Sequence, residues 1–134
     1  MFEKVYVFRV EPGQELLGEI TDFCREQDIT SGIIVGIIGS LESARLNYLM
    51  ELPGKYKGVD YEGPLEIVCA QGSVALENSN TIVHIHIQLG SQGGCMGGHL
   101  AGAKVFSTAE VVIAKLDRQL RRRLDSYTGL KELV

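Results

Sequence analysis

The chain has 134 residues, a formal net charge of −4, 45% hydrophobic residues and 22% charged ones. Residues 1–134 therefore read as one domain with a single core, and the apolar content excludes a disordered chain. The acidic balance disfavours direct nucleic-acid binding, and the longest apolar run, Ile33 to Ile38, is too short for a membrane span.

Lys4 to Val10 alternates as a strand should, with no basic targeting segment before it, so the cytoplasm where the chain is made is its expected location. Pro12-Gly13 turns the chain into the one long helix, where Leu16, Leu17, Ile20 and Phe23 recur at helical spacing to about Gln27. Ile33 to Ile38 is a β-branched strand, either buried on both faces or part of an interface. Gly39-Ser40 predicts a bend before a second strand over Ala44 to Met50. Pro53-Gly54 through Gly63-Pro64 holds most of the turn formers together with Tyr56 and Tyr61, and reads as a site-lining loop.

Leu65 to Leu76 predicts a strand with a bulge or kink at Gly72, and Asn78-Ser79-Asn80 a hairpin turn into a strand over Thr81 to Leu89. Six glycines then surround His99, from Gly90 to Gly102, without the GKS/T or following helix of a phosphate loop. Val105 to Leu116 predicts a long strand, and the tail from Gln119 a short strand or irregular segment turning at Thr128-Gly129. The basic run of Arg118, Arg121, Arg122 and Arg123, offset by Asp117 and Asp125, reads as a solvated or subunit-facing edge. One helix among about seven strands with short connections predicts an α+β fold, a mainly antiparallel sheet packed with one helix.

Three cysteines, an odd number, do not form a disulfide framework; Cys24 and Cys69 read as small apolar residues. Cys95 lies close to the histidines in sequence, as a fourth ligand or a nucleophile.

All three histidines fall within sixteen residues: His84, His86 and His99. In a strand the first two share a face, and the glycines let the chain turn and return the third. Catalytic zinc takes three protein ligands at about 2.0–2.3 Å and keeps a fourth position open. The spacing therefore points to a divalent metal site, zinc by the preference of imidazole donors.

Further segments carry a resemblance. Arg9-Val10-Glu11-Pro12-Gly13 before the helix, Gly36-Ile37-Ile38-Gly39-Ser40, Glu66-Ile67, His84-Ile85-His86, Gly97-Gly98-His99-Leu100 and Thr108-Ala109-Glu110-Val111 occur in an order that resembles the PPC (plants and prokaryotes conserved) domain in its stand-alone prokaryotic form. The resemblance implies a homotrimer, metal ligation by His84, His86 and His99 near subunit boundaries, and a fold similar to that of acetolactate decarboxylase, a zinc enzyme. The plant members that bind DNA do so through AT-hooks, which this chain lacks. Independently, an uncharged run such as Ile33 to Ile38 would leave apolar edges on a monomer that a closed ring covers.

Two functions follow. One is a trimer that binds a metal or small ligand without turnover. The other is a zinc-dependent enzyme, decarboxylase-like or hydrolase-like, acting on a small carbonyl or carboxylate compound. There Glu110, with Glu66 as second choice, would move a proton, Arg9 would bind an anionic group, and Tyr48 or Tyr61 would donate a hydrogen bond. The residues leave open whether the chain is an enzyme.

Overall fold

The computed structural model describes residues 1–134 as seven strands and one helix. In chain order they are β1 (Phe2–Val10), α1 (Leu16–Glu26), β2 (Gly32–Glu51), β3 (Lys55–Glu77), β4 (Asn80–Ser91), β5 (Gly94–Leu116), β6 (Arg122–Leu124) and β7 (Lys131–Leu133). The first five form an antiparallel sheet in the order β1-β5-β2-β3-β4, and β4 also pairs with β5, so that β5, β2, β3 and β4 close into a circuit. The small β6–β7 hairpin stands beside it.

The helix is eleven residues, three turns rather than a long element. Glu15 caps it by accepting from the Leu17 and Gly18 amides, and its carboxylate also accepts from the Ala103 amide at 2.9 Å, fixing the helix to β5. Gln27 ends it and Asp28 follows at φ 53°. Its apolar stripe, Leu16, Ile20 and Cys24, is fully buried against β5, β4 and β1. On β1, Tyr6, Phe8 and Val10 face the same core, with Phe8 stacked on Phe23 at 3.7 Å between ring centroids.

Two expected breaks are not breaks. Gly39-Ser40 lies inside a continuous twenty-residue β2, where Gly39 comes so close to the Thr108 carbonyl of β5 that no side chain fits. The expected loop from Pro53 to Pro64 is mostly strand, because Lys55 to Glu62 pairs in antiparallel register with Ser43 to Glu51. Backbone pairing across that arm, with Arg45 bonded to both Asp60 carboxylate oxygens at 2.8 and 3.0 Å, overrides the local turn formers. Gly72 is not a bulge either. It pairs regularly with Ile85, and its bare Cα is required because a Cβ would strike the His84 carbonyl. Against β4 the irregularity in β3 falls between Ile67 and Cys69, and Cys69 is exposed rather than packed.

The run Ile33 to Ile38 is buried on one face only. Ile34 and Ile37 enter the core, whereas Ile33, Val35 and Ile38 are exposed. Ile33 and Ile38 pair with Ala114 and Glu110 of β5, which pairs on its other side with β1, where Val5 and Val7 are also exposed.

Candidate metal centre

The histidines meet because β4 and β5 form a tight, unbulged hairpin. Ser91 pairs with Gly94, and the same register continues to His86 opposite His99. Gln92-Gly93 make the turn, where the Ser91 hydroxyl accepts from the Gly93 amide at 3.3 Å. Apart from Gly93, the glycines of this stretch are strand residues. Gly98 presses on the Tyr48 ring, where an added Cβ would lie 3.1 Å from it. His84 stands two residues back from His86 on the same face, beside Ser73 of β3.

The three rings converge, with centroids 5.1 Å (His84–His86), 4.8 Å (His84–His99) and 5.6 Å (His86–His99) apart. One donor nitrogen from each lies within 4.8 Å of the other two. Donors around a tetrahedral zinc are roughly 3.3 Å apart, so side-chain adjustments of about an ångström would bring all three to one ion. Burial, followed by the charges of His99, Arg122 and His86, lowers the His84 pKa to about 4, and burial followed by His86 and Arg122 lowers that of His99. Both are thereby kept neutral, the form that donates a lone pair.

His84 Nε2 is buried without a hydrogen-bond partner, and the other such side-chain atom in the molecule, Arg122 Nε, lies in the same pocket. Buried polar atoms without partners are costly, and a ligand in this pocket could satisfy both. The pocket, about 360 Å³, is lined by Tyr56, Ile82, Val83, His84, His99 and Arg122 and closed by Gly129 to Glu132 of the tail. Asp125 holds that tail, accepting from the Tyr127 and Thr128 amides at 2.8 and 2.9 Å. Arg122 donates to the Lys131 carbonyl at 2.8 Å, the Ser73 hydroxyl at 2.9 Å and His84 Nδ1 at 3.2 Å. The reading of the arginine run as a solvated edge fails for this half-buried residue. No spacing in the sequence tied it to the histidines; only the turn at Thr128-Gly129 hinted that the tail folds back.

The other expected site residues stand elsewhere. Glu110 and Arg9 are register partners on the exposed sheet face, Glu110 roughly 35 Å along β5 from His99. The Arg9 guanidinium is taken up by Glu11 at 2.7 Å, the Thr108 hydroxyl at 2.9 Å and the Ser107 carbonyl at 3.2 Å. Glu66 pairs with Gly90, away from the pocket. Tyr48 and Tyr61 bond to each other, oxygen to oxygen at 2.8 Å, and that bond, with burial, pushes Tyr48 up to about 12. Cys95 is exposed four residues along β5 from His99 and is not part of the cluster.

The family model of the Plants and Prokaryotes Conserved (PCC) domain matches residues 1–117. A "Bifunctional protein GlmU" from Synechococcus sp. (strain JA-3-3Ab) is 34% identical over 97% of this chain, and the chain spans about a fifth of the length of the curated relatives it matches. Among solved structures, a metal-containing protein from Archaeoglobus fulgidus superposes with a TM-score of 0.93 at 32% identity, covering 100% of this chain and 95% of that one. A plant- and prokaryote-conserved protein from Pyrococcus horikoshii gives 0.88 at 32% identity, covering 98% and 93%. A third, from Bacteroides thetaiotaomicron VPI-5482, gives 0.92 over 100% of this chain and 96% of that one; it is described as a candidate DNA-binding protein, and at 22% identity it shows the fold alone. With such neighbours, the expectation against a nucleic-acid partner is not carried forward. The fold is a mostly antiparallel sheet with one short helix, and neither the long helix nor the acetolactate decarboxylase-like fold is supported. No helix is long and apolar enough to cross a membrane.

Proposed function

This chain belongs to the Plants and Prokaryotes Conserved domain family, and we propose that it is a metal-binding protein in which His84, His86 and His99 hold one divalent ion, zinc by donor chemistry. The carrying observation is the convergence of three imidazoles, one of them with a buried nitrogen that has no partner. An ion there would supply an open coordination position able to acidify water or polarise a carbonyl. A structural neighbour described as metal-containing supports the reading. The chain acts as a homotrimer in the same proposal, supported by the apolar outer face on which Val7 and Ile38 are each 72% exposed.

A second reading, an enzyme acting on a small carbonyl or carboxylate compound, is favoured by the open cavity beside the histidines. In that case Glu110 and Arg9 reach the histidines only from a neighbouring copy, across the outer face. Metal content of the purified protein, compared with His84→Ala and His86→Ala, tests the first reading. The wild type should carry close to one divalent ion per chain and the variants far less. Equal and negligible metal in all three would refute it.

A further inference from the structure

The two orphaned atoms, His84 Nε2 and Arg122 Nε, constrain each other through a bond that metal cannot tolerate. A guanidinium only donates, so in the Arg122–His84 contact Nδ1 is the acceptor and the neutral ring carries its proton on Nε2. A metal on Nδ1 takes the lone pair that Arg122 uses. A metal on Nε2 moves the proton to Nδ1, where two N–H groups would face each other. Either way, metal binding at His84 and the Arg122–His84 bond exclude one another.

Arg122 then stands beside the ion as a second positive charge. It forms no ion pair, even with Glu132, the one carboxylate lining the pocket, and its neighbours are the Ser73 hydroxyl and the Lys131 carbonyl. Lys131, the other cation of the pocket, is engaged by Glu77 at 2.7 Å. A dication and a guanidinium in one half-buried pocket are stable together when an anion lies between them, and a carboxylate matches the guanidinium fork. The apolar walls, Ile82, Val83 and Leu130, suit a ligand with a short hydrocarbon part, and the cavity of about 360 Å³ admits only a small one.

We infer that Arg122 is the anion-binding residue of this pocket: metal displaces it from His84, and it then holds the carboxylate of a small organic ligand beside the ion. The inference rests on the three-histidine metal reading. It makes metal and carboxylate binding mutually reinforcing, since the carboxylate offsets the repulsion between Arg122 and the ion, while the ion frees Arg122 from His84 and adds positive charge beside the anion.

Cobalt(II) is a spectroscopic probe of such a site, and propionate and its neutral analogue propionamide are probes of the anion position. Cobalt affinity is measured by equilibrium dialysis in a carboxylate-free buffer, then with each probe, for wild type, Arg122→Gln, Arg122→Lys and His86→Ala, with the visible cobalt bands recorded in parallel. Arg122→Gln should bind cobalt several-fold more tightly than wild type without propionate. Propionate should raise wild-type affinity by about tenfold or more, the scale of one charge-assisted bond, and change the cobalt bands; propionamide should not. Arg122→Gln should lose that response and Arg122→Lys should keep part of it.

Cobalt bound with equal propionate response in wild type and Arg122→Gln overturns the inference while leaving the metal site intact, as does weaker cobalt binding by Arg122→Gln. A wild-type affinity that ignores propionate but rises with protein concentration assigns the carboxylate to a second copy of the chain and also overturns it. Failure of wild type to bind cobalt more tightly than His86→Ala refutes the metal reading itself, and this inference with it.

Discussion

Replacement of His86 by alanine separates metal binding from packing more cleanly than any other change at the site. His86 is exposed, whereas His84 and His99 are half-buried, so its removal deletes a ligand and almost no core. Metal-free stability should then change by no more than about 0.5 kcal/mol, the usual scale for a surface substitution. For wild type, free metal at one hundred times its dissociation constant stabilises the folded state by about 2.7 kcal/mol. A chain of 134 residues, at about 2.1 cal/mol/K of unfolding entropy per residue, has about 0.28 kcal/mol/K in total, so that stabilisation raises Tm by about 10 °C. If the lost imidazole weakens binding a hundredfold, the same metal concentration equals the new dissociation constant, leaving about 0.4 kcal/mol and a rise of about 1.5 °C. Thermal melts of wild type and His86→Ala, with chelator and then with zinc, read both quantities. A variant that keeps the full metal-dependent rise would refute the three-histidine site, because an exposed residue has no other route to that effect.

Three further outcomes follow from the same geometry. In the metal-free protein the folded pKa of His84 is about 4, below its ordinary 6.5, so the unfolded chain binds more protons between these values and stability falls as pH drops from about 6.5 to 4; after discounting for the solvent that reaches the half-buried ring, the loss is about 1.5 kcal/mol. Urea unfolding across that range in wild type and His84→Ala checks it, a loss of equal size in both telling against His84 as its source. Gly72→Ala should cost more than about 3 kcal/mol and abolish metal binding together, since its Cβ meets the His84 carbonyl backbone and forces β3 from β4 at the ligand pair; an unfolding midpoint within a degree of wild type would count against that close approach. Light scattering should give about 44 kDa, three copies of 14.7 kDa, and Ile38→Glu should reduce it to one copy by placing a charge at the outer face; a wild-type mass of one copy would remove the trimer.

Legibility in the sequence followed the range of the physical signal. The β4–β5 hairpin is local: thirteen residues separate His86 from His99, and the register across a two-residue turn sets one opposite the other. The helix limits were legible for the same reason, since the stripe of Leu16 and Ile20 ends where Gln27 and Asp28 leave helical geometry. Lys55 to Glu62 was illegible because its strand character belongs to its pairing with β2; its own Gly58 and the flanking Gly63-Pro64 speak for turns. Glycine was the most misleading residue in this chain, marking close approach inside strands at Gly39, Gly72 and Gly98 where a local reading expects bends or loops.

The candidate site divides along the same line. The imidazoles belong to one hairpin and could be read from spacing, whereas Arg122 comes from a tail hairpin set against β3 through the Leu76–Arg121 bridge and the Arg122–Ser73 bond. Three imidazoles specify a cation and little else. Arg122, Leu130 and the backbone that closes the pocket are contributed after residue 117, beyond the stretch matched by the family model. On the proposed reading, the donor set is built within the matched domain together with the Tyr56, Ile82 and Val83 walls, while the one guanidinium beside it comes from the last seventeen residues.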